Sequence, residues 1–295
     1  MVPALFLYAA LVDNVRGLIA QHNFDAAERQ ARAAEARGAT PEVAEAFSWI
    51  ARGELDAKRY EKADVYAAET RKLSDALLRV RHLDAEPVLP IALGASIEVH
   101  AQALAATGQR SEAVVFLRDQ AKLFAGTSVV ERIRKNLNLL NMEGKPAPEL
   151  DTSDWLGAKP PTLSSLRGKP VLLFFWAHWC IDCKAESQIV ADVQKKYGPK
   201  GLVVIGPTKF YGYVGSGQDA GPMVEKPYID RVRQQFYGAI SPMPAPLSNA
   251  NFQAYGASTV PTLVLIDSAG IVRMYHPGAM PEAELSAHIQ SIFKK

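Results

Sequence analysis

Through the first 143 residues, apolar positions recur three and four apart in segments rich in Ala, Glu, Arg and Leu. That spacing gives a helix one buried face, so it predicts an all-α region. The apolar residues 4–12 fit the same pattern and predict the first turns of a buried helix. Residues 141–149 (NMEGKPAPE) read as a linker, because a glycine and two prolines oppose both helix and ladder hydrogen bonding. Beyond it the pattern becomes strand-like. The run VLLFFW at 171–176 is continuously apolar, as a strand buried on both faces must be. Residues 202–205 and 262–266 repeat that signature, and 271–275 follow across the turn Asp267-Ser268-Ala269-Gly270, which predicts an antiparallel hairpin. Amphipathic helices are predicted over 182–197, 224–237 and 282–293. The expectation is a helical domain at 1–143 and, at 144–295, an α/β domain with a mixed parallel and antiparallel sheet flanked by helices.

Three segments of the helical half resemble one another: Asn23-Phe24-Asp25-Ala26-Ala27, Arg59-Tyr60-Glu61-Lys62-Ala63 and Gly108-Gln109-Arg110-Ser111-Glu112-Ala113. Each reads as a turn, a helix start and a small alanine that lets two helices approach. The first two lie 36 residues apart, close to the ~34 of tetratricopeptide repeats, and an insertion around Pro87 and Pro90 offsets the third. The expected architecture is tetratricopeptide-like helical hairpins; an irregular bundle in which the alanines merely pack is the alternative.

Composition narrows the function classes. Thirty-three Lys and Arg against 31 Asp and Glu leave a net charge of +2, without the clustered basic excess that nucleic-acid or anionic-membrane binding needs. No apolar run of ~18–20 residues marks a membrane span. No Lys or Arg precedes the apolar opening and no cleavage pattern follows it, so it does not read as a signal peptide. The two cysteines, Cys180 and Cys183, exclude a disulfide-stapled scaffold and a four-cysteine zinc site. A chain with no third thiol cannot mispair its redox cysteines internally, which suits an oxidising compartment.

Those cysteines lie in Trp176-Ala177-His178-Trp179-Cys180-Ile181-Asp182-Cys183-Lys184-Ala185-Glu186, where a buried strand ends and a helix begins. Cys180 is expected at the helix N-terminus, where unpaired N–H groups and the macrodipole stabilise a thiolate. The thiolate is the species that attacks a disulfide. Cys183, about one helical turn on, stands where it can resolve the mixed disulfide. A zinc site would need two more ligands, for which His178 and His276 are the candidates, and a structural disulfide is the other alternative.

FFWAHWCIDCKAE, preceded by Ala147-Pro148 and Leu163-Ser164-Ser165-Leu166-Arg167-Gly168-Lys169-Pro170 and followed by Thr259-Val260-Pro261-Thr262, resembles the TlpA/ResA-like branch of the thioredoxin superfamily over roughly residues 145–295. The helical half lies outside that pattern. The resemblance implies a thioredoxin fold and protein disulfide reduction by dithiol exchange, outside the cytoplasm and with neither metal nor organic cofactor. It implies a protein disulfide or dithiol client and an upstream thiol electron donor. Pro261 matches the family's cis-proline facing the cysteines, with an ordinary trans proline as the alternative, and the Val260 backbone would pair with substrate. Glu186 matches the acidic residue three positions after the second cysteine and would handle protons; the alternative is a solvated first-turn glutamate. Phe174 stands where ordinary thioredoxins carry a buried aspartate.

Asp182 departs from the family, which has proline before the second cysteine. Its charge opposes the thiolate and predicts a higher-titrating Cys180 and a more reducing couple. His178 would oppose that effect if protonated, or else face solvent. Trp179 is expected to shield the sulfur as an apolar wall. Residues 207–243 exceed what the resemblance needs; Tyr211, Tyr213, Tyr228 and Tyr237 are expected to pack over the sheet edge rather than form a docking surface. Two other functions compete. A thiol peroxidase of peroxiredoxin type would need a threonine three residues before its cysteine, where Ala177 stands. A helical adaptor would keep the redox domain only as a platform; in the leading reading the helical half recruits a client or partner on its concave surface.

Overall fold

The computed structural model describes residues 4–240 and 242–293, with side chains from Ala10 onward. The side chains of residues 4–9, on which the expectation of a buried opening partly falls, lie outside the described residues. The chain forms two compact units, Met1–Leu140 and Asn141–Lys295.

The first unit is helical: α1 (Ala4–Ala20), α2 (Phe24–Glu35), α3 (Pro41–Asp56), α4 (Tyr60–Leu78), α5 (Leu89–Ala106), α6 (Arg110–Leu123) and α7 (Val130–Asn141). Helices α3, α4 and α5 pack on one another at its centre. Three hairpins share one turn. His22, Lys58 and Gly108 adopt left-handed φ of 57°, 59° and 90°. The next residue opens the following helix and returns its N–H to the carbonyl five positions back: Asn23 to Leu18 (2.8 Å), Arg59 to Glu54 (2.9 Å) and Gln109 to Leu104 (2.8 Å). This bond satisfies a carbonyl that the helix end would otherwise leave orphaned. Ala27, Ala63 and Ala113, four residues past each capping position, are fully buried, so the small side chain sits where the helices meet. The long connection Arg79–Val88 delays the third hairpin.

One helix bears on the reading of apolar runs. By length and hydropathy α5 could cross a membrane. Leu89, Leu93, Ile97 and Ala101 are instead buried among the other helices, and Glu98 on α5 pairs with Arg132 (2.5 Å) and Lys135 (2.8 Å) of α7. Desolvation pushes the Glu98 carboxyl up, but the two cations outweigh it and bring it down to about 2.

The second unit is built on a four-stranded sheet of order β3-β2-β7-β8, where β2 is Val171–Phe175, β3 Val203–Ile205, β7 Thr262–Ile266 and β8 Val272–Pro277. Strand β3 runs parallel to β2, and β7 and β8 continue antiparallel. Alternate residues of β2 enter two cores, which is why its whole run is apolar. Leu172 and Phe174 pack in the core shared by α8 (Ile181–Tyr197), α9 (Pro222–Tyr237) and α11 (Glu282–Phe293). Val171, Leu173 and Phe175 pack on the other face against Phe252 and Tyr255 of α10 (Asn249–Tyr255). Short pairs β1 (Trp155–Leu156) with β6 (Ala245–Pro246) and β4 (Tyr213–Val214) with β5 (Gln218–Asp219) complete the unit. The segment expected to be a free linker lies along the sheet hairpin: Gly144 N–H donates to Val272 O (2.9 Å) and Ala147 N–H to Gly270 O (3.0 Å). Pro146 and Pro148, spaced by one residue, leave these donors free to bond.

Candidate active site

Strand β2 delivers the site. Its last residue, Phe175, pairs with Thr262, the first residue of β7, so the loop after β2 and the residues before β7 come together. Trp176 anchors the loop: its indole N–H donates to Gly206 O (2.9 Å), and Thr208 Oγ1 donates to its carbonyl (2.9 Å). Cys180 is the N-cap of α8, and its sulfur accepts the Cys183 N–H at 3.0 Å. Cys180 and Cys183 form a disulfide with Cα atoms 5.3 Å apart. Both are buried. The Val260–Pro261 peptide is cis, and Val260 O lies 3.6 Å from Cys180 Sγ, a contact only, because a disulfide sulfur has no proton to donate.

Glu186 lies one turn past Cys183 and is buried. Burial pushes its carboxyl above the ordinary value, partly offset by the Met280 N–H that it accepts at 3.1 Å and by His276. It is therefore not the solvated first-turn glutamate of the alternative reading. Asp182 and Ile181 face solvent in the first turn of α8. Trp179 is 45 % exposed and meets the Tyr211 ring edge-on at 5.5 Å.

Residues 163–293 match the family model described as a thioredoxin-like domain. The C-terminal half of the chain has the fold of a thioredoxin-like domain over these residues. Thiol-disulfide oxidoreductase ResA of Geobacillus thermodenitrificans is 28% identical over 149 residues, 50% of this chain and 77% of its own. Thiol:disulfide interchange protein DsbE of Pseudomonas fluorescens biotype C is 29% identical over 160 residues, covering 51% and 78%. A solved thiol:disulfide interchange protein of the thioredoxin family from Chlorobium tepidum is 21% identical over 50% of this chain and 95% of its own, with a TM-score of 0.39.

His178 corrects the sequence reading. It neither faces solvent nor sits where protonation is easy: it is 2 % exposed, and burial pushes its imidazole below the ordinary value. The rings of Tyr211, Tyr213 and Tyr228 surround it edge-on at 5.5, 5.2 and 5.3 Å. Tyr237, the fourth tyrosine of the insertion, packs on Trp176 at 4.5 Å. These tyrosines pack rather than form a docking face. His276, the other candidate zinc ligand, stands with Nε2 3.1 Å from Ala279 O.

Glu225 was missed. It is fully buried on α9, accepts the N–H groups of Tyr211 (2.6 Å) and Gly212 (2.9 Å), and places Oε1 3.5 Å from His178 Nε2. In sequence it is an ordinary first-turn helix glutamate, 47 residues from His178, so only the fold of the insertion pairs them.

Proposed function

We propose that this thiol–disulfide oxidoreductase reduces protein disulfides by dithiol exchange through Cys180 and Cys183, outside the cytoplasm. The observation that carries the reading is the disulfide at the start of α8, with Cys180 as N-cap and the Cys183 N–H directed at its sulfur. Once the pair is reduced, that N–H and the helix terminus favour charge on Cys180. The Cys180 thiolate attacks one sulfur of the client disulfide, forming a mixed disulfide and releasing a client thiolate that takes up a proton. Cys183 then gives up its proton, attacks Cys180 and releases the second client thiol, leaving the disulfide seen here.

Glu186 is the proton carrier for Cys183 in this scheme. Its burial and raised carboxyl support that role, because a group titrating closer to neutrality exchanges protons more readily at working pH. The Val260 carbonyl and Pro261 border the sulfur and shape the groove where client backbone lies; Trp179 and the exposed Ile181 flank it. An upstream dithiol donor recycles the disulfide. The helical unit serves as a tetratricopeptide-like module that holds a client or partner protein; the hydrogen-bond pattern shared by its three turns and its buried alanines support this.

Dithiothreitol-driven reduction of insulin tests the chemistry. Wild type accelerates it, Cys180→Ser is inactive, and Cys183→Ser accumulates a mixed disulfide with insulin through Cys180. Full activity in Cys180→Ser contradicts the assignment.

A further inference from the structure

His178 is a buried titratable group close to the redox cysteines along the chain. Two peptide units separate it from Cys180, which limits their Cα distance to about 7 Å. Its Nε2 faces Glu225 Oε1 at 3.5 Å, an ion-pair separation. Two backbone N–H groups hold the Glu225 carboxylate in place, and three tyrosine rings close the site against water. The insertion at 207–243 supplies every one of these groups. The remaining charge acting on the imidazole is Lys184 of α8, which opposes protonation, as burial does.

We infer that His178 takes up a proton when the Cys180–Cys183 disulfide is reduced, and that the insertion exists at this site to hold it ready through Glu225. This rests on the dithiol-exchange reading and deepens it. A dithiol donor delivers two electrons and two protons and leaves as its own disulfide. The Cys180–Cys183 bond breaks; one proton goes to Cys183 sulfur and the other to His178, leaving Cys180 as thiolate. The imidazolium then has Glu225 at 3.5 Å and the new thiolate two residues along the chain, and each anion favours it. In the oxidised protein only Glu225 remains, and desolvation wins. The proton on His178 offsets the exposed Asp182 charge, so the reduced enzyme keeps a reactive thiolate despite its unusual CIDC sequence.

The test is imidazole NMR of the full chain, labelled at histidine, titrated in the oxidised form and again in dithiothreitol, with His178→Gln used to assign the signal. The His178 midpoint rises on reduction by about one pH unit or more. Glu225→Gln lowers the midpoint in both redox forms, and His178→Gln moves the thiolate absorbance of Cys180 to higher pH. An identical midpoint in both redox forms overturns the inference. Insulin reduction is read separately. Turnover with an unresponsive His178 removes this inference alone, whereas a responsive His178 without turnover removes the proposed function and leaves the proton coupling.

Discussion

The Glu186 carboxylate accepts a hydrogen bond, 3.1 Å long, from the backbone N–H of Met280. A carboxyl raised by burial binds its proton more tightly in the folded than in the unfolded chain. Its contribution to stability is therefore full below the unfolded value of 4.5 and is lost as pH rises through the higher folded value. Glu186→Gln keeps an acceptor for Met280 but cannot ionise. Urea unfolding of the oxidised forms should show the variant gaining on wild type as pH rises above 4.5. Its insulin reduction should fall on the order of 10²-fold, as loss of a proton carrier dictates. Unchanged turnover would remove Glu186 from the exchange step.

Glu98 has the opposite sign. Its carboxyl is depressed from 4.5 to about 2 by Arg132 and Lys135 against desolvation. The helical unit thus holds this stabilisation above pH 4.5 and loses it as pH falls toward 2. The loss is about 3 kcal/mol at most, at 1.36 kcal/mol per unit. Glu98→Ala, which leaves two cations unpaired, should cost about 3–5 kcal/mol at pH 7 by urea unfolding and should abolish the acid-dependent loss.

The shared hairpin turn gives paired substitutions with opposite signs. Lys58 holds φ 59° without the freedom of glycine, so Lys58→Gly should stabilise the helical unit by about 1 kcal/mol. Gly108 holds φ 90° with nothing within 4 Å of an added Cβ, so Gly108→Ala should cost a similar amount through backbone conformation alone. Thermal unfolding of the two variants checks both. The same sign for both would mean that the turns are not equivalent.

Strand β2 was legible because burial on both faces leaves no polar position in Val171–Phe175, and Phe174 packs against Tyr237 at 6.0 Å. Cys180 was legible as an N-cap because the strand ends five residues earlier and the amphipathic pattern starts at once. Helix α10 was not legible. Its seven residues hold two turns, too few for a periodicity, and it is fixed by the Ser248 cap and by Gly256 at φ 57°. The His178–Glu225 pair was hidden for a different reason. Neither residue is unusual in its own stretch, and the partnership exists only once the insertion folds over the loop. The apolar α5 concealed Glu98 in the same way, since its two cations come from α7.

Asp182, exposed one residue before Cys183, tests the tuning of the pair. Proline is accommodated in a helix's first turn, so Asp182→Pro should fold. Removing the charge should lower the pH at which Cys180 thiolate absorbance appears and should make the couple less reducing. If both stay unchanged, the aspartate does not act on the thiolate.

The central claim is reductive dithiol exchange at Cys180 and Cys183, and the reduction potential of that couple tests it most directly. Equilibration with dithiothreitol or glutathione buffers, read by thiol alkylation, should give a value near the ~−270 mV of thioredoxin or lower. A value near the ~−120 mV of DsbA would make the protein an oxidant and contradict the assigned direction of electron flow.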